Sequence, residues 1–236
     1  MQLSRRQKIS LASAAVLIAL PVTASIVLMN MDWNRAKPWL NARASEALGR
    51  PFAIEGDLTL TWQQPTTGGK QGWRDYLPWP HLQAKDVRLG NPSTMSGTDD
   101  GAQLATVSQL AFSLNPLALL DKKIIIPQLR FDTPQVRLLR NKDGKNNWTF
   151  DKQEQPSPWQ LELQGVVFSK GTVYLDDAVT KTAMRADVDT IANDARYGIA
   201  WTLSGKYHGE SVKGGGKAGG VLSLQQQGTP FPIQAD

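Results

Sequence analysis

Short runs of alternating apolar and polar residues fill the chain after Pro51, and they constrain its fold more than any other feature. In the run Leu58–Trp62, two leucines and a tryptophan alternate with two threonines. Side chains of a β-strand point alternately to opposite faces, so a period of two predicts strands with one apolar and one polar face. The other runs of this kind are Val87–Leu89, Leu110–Leu114, Leu129–Phe131, Val136–Leu138, Leu161–Leu163, Val166–Phe168, Val173–Leu175, Ile199–Leu203 and Leu222–Leu224. Together they predict a mainly β chain whose antiparallel sheet is wet on one side.

The apolar side of this predicted sheet has few elements to cover it. Residues 32–50 form the one convincing helix, against about ten strands. The sheet must therefore close on itself, face a second sheet or hold apolar material. A sandwich or a closed sheet is the common solution. The sharper hypothesis is a curved antiparallel sheet over residues 51–236, taco-like or sandwich-like, that forms an apolar groove.

Under this hypothesis, the apolar residue of each strand lines the groove. The candidates for contact with its occupant are Leu60, Leu89, Phe112, Leu129, Phe131, Val136, Leu138, Phe168, Val173 and Trp201. They are expected to bind without covalent chemistry, and none is assigned a catalytic role.

The helix predicted over residues 32–50 is amphipathic. Its apolar positions recur at spacings of three and four, and they are Trp33, Ala36, Leu40, Ala44 and Ala47/Leu48. Gly49 is suited to a left-handed cap, and Pro51 prevents continuation of the helix. We favour a helix that plugs the end of the sheet. A compatible interpretation places its cations against lipid headgroups, namely Arg35, Lys37, Arg43 and Arg50.

The N-terminus carries an uncharged apolar run from Ile9 to Met31. As a helix these residues would span roughly 34 Å, which matches a bilayer hydrocarbon core of about 30 Å. Three cations precede the run within residues 1–8, so the N-terminus is expected in the cytoplasm and residues 32–236 across the inner membrane, in the periplasm. The alternative is a signal peptide cleaved after Ala24. Both interpretations export the body of the protein.

The charge of the chain is concentrated near this N-terminus. The formal net charge is +5, and residues 1–50 hold seven cationic and two acidic side chains. Residues 51–236 hold nineteen of each, so the body is neutral. A nucleic-acid-binding protein needs cations clustered on its folded body, and we expect no nucleic-acid partner. The absence of cysteine excludes disulfides, thiol catalysis and thiolate zinc sites.

The sequence gives little support to any motif of enzyme chemistry. Residues 214–219 satisfy G-x-G-x-x-G, but Val221–Leu224 follows at strand period where a nucleotide-binding fold needs a helix. A flexible hairpin loop is the favoured interpretation, and no nucleotide or other cofactor is expected. His81 and His208 are interpreted as exposed loop histidines without a metal or triad arrangement. The chain is therefore predicted to be no enzyme.

Two loops and two acidic pairs have possible interest. The segment Gln63–Trp79 is rich in aromatic residues, which are interpreted as ordinary core or as contacts to a membrane interface or a partner. The segment Ser93–Ala102 is polar. Asp99-Asp100 and Asp176-Asp177 are interpreted as solvated turn residues rather than as a cation site or an acid pair.

Several short motifs, taken in order, resemble a known family. They follow the cationic N-terminus and the apolar run, and they are Leu48-Gly49-Arg50-Pro51, Ile54-Glu55-Gly56-Asp57-Leu58, Leu82–Pro92, Asp143-Gly144 and Asn147-Trp148-Thr149-Phe150. The order and spacing are similar to the N-terminal part of the AsmA family of Gram-negative envelope proteins. That family resembles the bridge-like, chorein-type lipid-transfer proteins, which begin with a helix-capped start and continue as a long curved sheet with a hydrophobic groove.

The resemblance implies a role in phospholipid movement from the inner towards the outer membrane, and so in envelope homeostasis. Its implied partners are membrane phospholipids. Members of the family run several hundred residues further, so we expect either a partial chain or an envelope protein partner that extends the groove. The rival hypothesis is an anchored scaffold or regulator of outer-membrane protein assembly that binds protein rather than lipid.

Overall fold

The computed structural model describes residues 31–64, 78–95, 103–150, 158–194, 196–220 and 231–235. The predicted anchor over Ile9–Met31 lies outside these residues except for Met31, as do the pair Asp99-Asp100, the strand Leu222–Leu224 and most of the two loops. In the part of the chain that is described, no helix is long and apolar enough to cross a membrane.

One α-helix and fourteen strands make up the regular structure of the described residues. A 3-10 turn at Trp33–Ala36 leads into helix α1, Lys37–Leu48. The strands are β1 Phe52–Ile54, β2 Leu58–Gln63, β3 Trp79–Leu89, β4 Ala105–Ser113, β5 Lys123–Ile126, β6 Leu129–Asp132, β7 Gln135–Arg140, β8 Gln160–Leu163, β9 Val166–Ser169, β10 Gly171–Asp177, β11 Thr182–Thr190, β12 Ile199–Tyr207, β13 Glu210–Ala218 and β14 Ile233–Ala235. Further 3-10 turns lie at Ser93–Met95 and Ala118–Asp121.

Twelve of the strands form one curved, open sheet. Its order is β1-β3-β4-β7-β10-β11-β12-β13-β14, with β2 beside β3 and β6 between β4 and β9, while β5 and β8 form a separate pair. The mainly β, curved architecture agrees with the prediction. The antiparallel prediction is wrong in part, because β7 pairs with β10, β6 with β9 and β5 with β8 in parallel. Apolar alternation specifies which face a residue occupies, but it does not specify the direction of the neighbouring strand.

The three parallel pairs share one register. Lys123 lies opposite Gln160, Leu129 opposite Val166 and Gln135 opposite Thr172, so each partner is 37 residues further along the chain. The bends also match, since Thr133 and Lys170 both have a positive φ, of 45° and 52°. Residues 123–140 and 160–177 are therefore two copies of one bent strand laid side by side.

The β13 strand replaces a predicted loop. The sequence favours a flexible hairpin loop for the glycine-rich residues that satisfy G-x-G-x-x-G. In the structure, all of them except Gly219 lie within Glu210–Ala218, which pairs with β12 along its whole length. That interpretation is wrong. The backbone of β13 pairs with β12, and the side chains of β12 supply the apolar surface that the glycines of β13 lack. Trp79 likewise begins β3 rather than ending a loop.

Helix α1 ends where the sequence predicts, with Gly49 at a φ of 62° and Pro38 in the first turn. Trp33 and Leu40 pack on a small core of buried residues, whose members are Ile54, Leu58, Ala84 and Val87. Ala47 and Leu48, which were predicted to share the apolar stripe, are exposed instead.

Polar side chains of the helical segment bind the backbone of the first sheet edge. Asn34 Oδ1 accepts a hydrogen bond from Leu58 N at 2.9 Å, and Asn41 Oδ1 accepts one from Ile54 N at 3.0 Å. Ser45 Oγ accepts one from Phe52 N at 2.8 Å. Unpaired backbone groups at a sheet edge are templates for aggregation, and these contacts occupy three of them on β1 and β2. The helical segment thus caps the edge at which the sheet begins.

Candidate functional site

Strand register gathers the apolar alternates onto one side of the large sheet. One lateral row joins Leu60, Leu82, Phe112, Leu129 and Val166 across five strands. A second row crosses seven strands, and it consists of Leu89, Ala105, Val136, Val173, Ala186, Leu203 and Gly214. We call this side the apolar face and the opposite side the outer face.

All ten residues predicted to line a groove lie on the apolar face. Phe131 sits between Leu110 and Phe168, and Leu138 lies opposite Leu175. Trp201 lies opposite Val188 on one side and Gly216 on the other. The structure therefore brings together, from β2 to β12, residues that are up to 141 positions apart in sequence.

These ten residues are only half-buried. None is fully exposed and none reaches the burial of Leu58, of which 2% is accessible. The only α-helix among the described residues packs on β1, at the start of the sheet. Most of the apolar face is thus left without a covering layer in the part of the chain that is described. Such a surface is suited to an apolar ligand or to a further protein surface.

The four predicted headgroup contacts differ in accessibility. Arg35 and Arg43 are exposed and form ion pairs with Asp32 and Glu46 on the same helical segment. Lys37 is half-buried and donates to the carbonyl oxygen of Gly56 at 2.9 Å. These three remain candidates by position.

Arg50 is not a headgroup contact, because only 5% of it is accessible. Its guanidinium donates to the carbonyl oxygen of Asn147, and to that of Thr149 at 2.6 Å. The same group lies 3.8 Å from the centre of the Phe150 ring. The positive charge at this position is used inside the fold.

Asn147 is the most deeply buried polar residue of the described chain, with 0% of its surface accessible. Its Nδ2 donates to Asn91 Oδ1 and to the carbonyl oxygen of Arg137, both at 2.8 Å. Its Oδ1 accepts from Leu139 N at 2.8 Å. We call Arg50, Asn91 and Asn147 the polar clamp. It joins the end of α1, the end of β3 and the strand β7.

The polar clamp unites three motifs that are far apart in the sequence. They are Leu48–Pro51, the end of Leu82–Pro92 and Asn147–Phe150. The sequence offers the motifs themselves as a signal, but it does not show that they meet. The structure shows that the three segments meet at one structural joint.

His81 lies on the outer face of β3 and is half-buried, so its placement in an exposed loop was wrong. Its Nδ1 is 2.9 Å from Ser113 Oγ on β4, and its Nε2 is 3.4 Å from Gln83 Nε2. Burial lowers the pKa of His81 and so favours the neutral ring. His208 is exposed in the β12–β13 turn, as predicted.

Stability should fall as the pH drops from 7 to 5, in part because of His81. Its pKa is lower in the folded chain than the value of about 6.5 in the unfolded chain, so protonation favours unfolding. The loss begins below the unfolded pKa and is complete once the pH passes the folded pKa. We expect His81→Gln to reduce the difference in urea midpoint between pH 7 and pH 5. The exposed His208→Gln is the control, and an equal reduction in both variants would contradict the assignment.

The pair Asp176-Asp177 is not a solvated pair. Asp176 is exposed, but Asp177 is buried and forms an ion pair with Arg140. Asp177 Oδ1 also accepts from Val179 N at 2.9 Å and from Thr180 N at 3.2 Å. The hydrogen bond from Arg140 is the main reason why the pKa of Asp177 lies far below its usual range. No group of three or more His, Asp or Glu side chains suited to a metal ion occurs within the described ranges.

Comparison with known proteins identifies the family of this chain. The sequence model of the AsmA family matches residues 3–196. This chain belongs to the AsmA family. The match covers both copies of the bent strand, the polar clamp and most of the apolar face.

A curated relative supports the assignment. This AsmA-family chain is 34% identical over 260 residues to the AsmA family protein YhjG of Escherichia coli strain K12. The alignment covers 99% of the chain and 37% of YhjG, so the chain spans little more than a third of that relative. No solved structure matches the chain significantly.

Proposed function

We propose that this AsmA-family chain binds phospholipid acyl chains along its apolar face and contributes to lipid transport between the inner and outer membranes. In this proposal an N-terminal anchor holds it in the inner membrane, with the N-terminus in the cytoplasm and the sheet in the periplasm. Membership of the AsmA family fits a role in envelope lipid transport or in outer-membrane assembly. The observation that carries the lipid-binding proposal is the register-aligned, half-buried apolar face.

The dimensions of the apolar face suit an acyl chain. Adjacent strands lie about 4.8 Å apart, so a row across seven strands extends for roughly 29 Å. One leaflet accounts for about half of a hydrocarbon core of roughly 30 Å. A single acyl chain therefore has room to lie along the row of Leu89, Val136 and Val173.

The mechanism is a physical transfer that needs no catalytic group. Exposing an acyl chain to water costs about 0.8 kcal/mol for each methylene group. An acyl chain that leaves the bilayer contacts leucine, valine and phenylalanine side chains, whose polarity is similar to that of bilayer hydrocarbon. Its headgroup stays in water at the edge of the sheet. The proposal needs phospholipids as partners, and it includes an envelope protein that extends the groove. It needs neither a nucleotide nor a nucleic acid.

Photo-crosslinking tests the proposal, because it distinguishes lipid contacts of the sheet from lipid contacts of the N-terminal apolar run. The full chain is incubated with vesicles that contain a phospholipid with a photoactivatable group in its acyl chain, and mass spectrometry maps the adducts. We expect adducts on Phe131, Leu138 and Trp201. The neighbouring outer-face residues Arg130 and Thr202 should remain unlabelled.

Adducts confined to residues 9–31 would contradict the lipid-binding proposal, because the sheet would then hold no acyl chain. A sheet without lipid adducts that crosslinks to another envelope protein would instead favour the scaffold hypothesis.

A further inference from the structure

Four large apolar side chains are exposed where the 3-10 turn Ala118–Asp121 meets the strand pair β5–β8. Two of them are highly accessible, since 82% of Leu120 and 69% of Leu161 is exposed. The carbonyl oxygen of Lys122 accepts a hydrogen bond from Gln160 N at 3.0 Å, so the turn and the start of β8 are neighbours. We call the four residues the apolar tip, and they are Leu119, Leu120, Trp159 and Leu161.

The turn that carries the apolar tip is well ordered. Ala118 is buried, and Asn115 Oδ1 accepts a hydrogen bond from Leu117 N at 3.0 Å at the start of the turn. Lys122 closes the turn at a φ of 56°, and its N donates to the carbonyl oxygen of Leu119 at 3.1 Å. The exposure of the leucines therefore belongs to the fold, and a group of exposed apolar residues marks a contact surface.

The helical segment begins at one end of β3 and runs towards the other. Asn34 binds the backbone at the level of Ala84, whereas Ser45 binds it at the level of Leu89, the last residue of β3. The segment therefore starts on the side where β3 begins. The apolar run Ile9–Met31 directly precedes the segment, so the chain enters the fold from that side.

The apolar tip lies at this same end of the sheet. Strand β4 is antiparallel to β3 and returns to the side where β3 begins, and Leu114 N donates there to the carbonyl oxygen of Pro80 at 3.0 Å. The turn with the apolar tip follows β4 directly. From the tip, β5 leads into β6, whose Leu129 lies opposite Phe112 on the apolar face.

The chemistry of the apolar tip fits the surface of a bilayer. Leucine side chains suit its hydrocarbon, and tryptophan is typical of its boundary with water. Lys122 and Lys123 are exposed beside them, but so are Asp121 and Glu162, and these four charges cancel. Attraction to anionic headgroups therefore contributes little, and contact with a bilayer depends on the burial of apolar surface.

We propose that the apolar tip inserts into the surface of the membrane that holds the N-terminal anchor. The anchor and the tip then hold one end of the sheet against the bilayer, and β5 and β6 lead from this contact onto the apolar face. The inference rests on the proposed membrane-anchored, lipid-binding function, and it adds the place where the sheet meets the membrane.

Fluorescence quenching tests the insertion, because the chain has no cysteine and Leu120→Cys can carry a single fluorophore. The full chain is reconstituted into phosphatidylcholine vesicles that contain a phospholipid with a nitroxide quencher in its acyl chain. An amphipathic surface lies roughly 5–10 Å inside the boundary, so quenching at position 120 should exceed that of the control at least about fivefold. The control is Ser204→Cys, which places the same fluorophore at an exposed position on the outer face of β12.

A fluorophore introduced by Leu161→Cys should be quenched like that at position 120, and adding phosphatidylglycerol should change neither value. Equal quenching at positions 120 and 204 would overturn the insertion, and so would quenching that occurs only with phosphatidylglycerol. Protection of position 120 from aqueous iodide without vesicles, increasing with protein concentration, would assign the tip to contact between two copies of the chain and overturn the proposal.

The two proposals fail separately. Acyl-chain crosslinks to the sheet without quenching at position 120 would overturn the membrane contact of the tip and leave the lipid-binding proposal in place. Quenching at position 120 without crosslinks to the sheet would support the tip and contradict lipid binding.

Discussion

Replacing Phe131 and Leu138 together by aspartate should lower acyl-chain labelling of the sheet by at least about 100-fold. Both side chains lie on the apolar face, within the first of the two parallel copies of the bent strand. An acyl chain bound there would have to desolvate two carboxylates without giving them a hydrogen bond, at a cost of several kcal/mol. The measurement is crosslinking with the photoactivatable phospholipid, normalised to the unmodified chain.

The control places two aspartates on the other face of the same strands. Arg130→Asp with Gln135→Asp changes exposed residues of the outer face and should leave labelling within about twofold. Circular dichroism checks that both double variants retain the sheet. Where the apolar-face variant does not fold, the single substitution Leu138→Gln supplies the comparison, because it inserts one polar group only. Unchanged labelling in a folded apolar-face variant would refute the groove.

Within one strand, the face of each residue could be predicted from sequence because it depends on local parity. Leu58, Leu60 and Trp62 alternate with two threonines, and their Cβ atoms reach one side of β2 whichever strand pairs with it. Strand direction is different, since it is set by partners 37 residues away in the parallel pairs. The repeat itself was available as a signal, because Phe131 and Phe168, like Leu138 and Leu175, match at that spacing.

The burial and the partners of charged residues could not be predicted in this way. Sequence position groups Arg50 with the helix cations, but its partners are the carbonyl groups of Asn147 and Thr149. Asp177 looked like a turn residue, and its partner Arg140 is supplied by a parallel strand. A buried charge is defined by a distant partner, which neither composition nor periodicity reveals.

Asn147 closes the joint between α1 and the sheet, and its truncation should have the largest effect on stability. Asn147→Ala removes three side-chain hydrogen bonds and leaves Leu139 N, Asn91 and the Arg137 carbonyl oxygen without this partner. At about 1 kcal/mol for each bond, with a further penalty for buried unsatisfied groups, we expect a loss of about 3–4 kcal/mol. For a chain of this size the corresponding fall in Tm is about 10 °C. Urea and thermal unfolding, followed by circular dichroism, provide the measurement.

Two further variants distinguish hydrogen bonding from volume. Asn147→Asp keeps the side-chain size and one acceptor, but it turns a donor towards the Arg137 carbonyl oxygen into an acceptor and buries a charge. We therefore expect Asn147→Asp to be at least as destabilising as Asn147→Ala. Asn141→Ala removes an exposed bond to Lys145 N and should cost less than about 1 kcal/mol. Near-native stability of Asn147→Asp would mean that Asn147 stabilises the fold by its volume rather than by its hydrogen bonds. The polar clamp would then not be the interaction that holds the helix to the sheet.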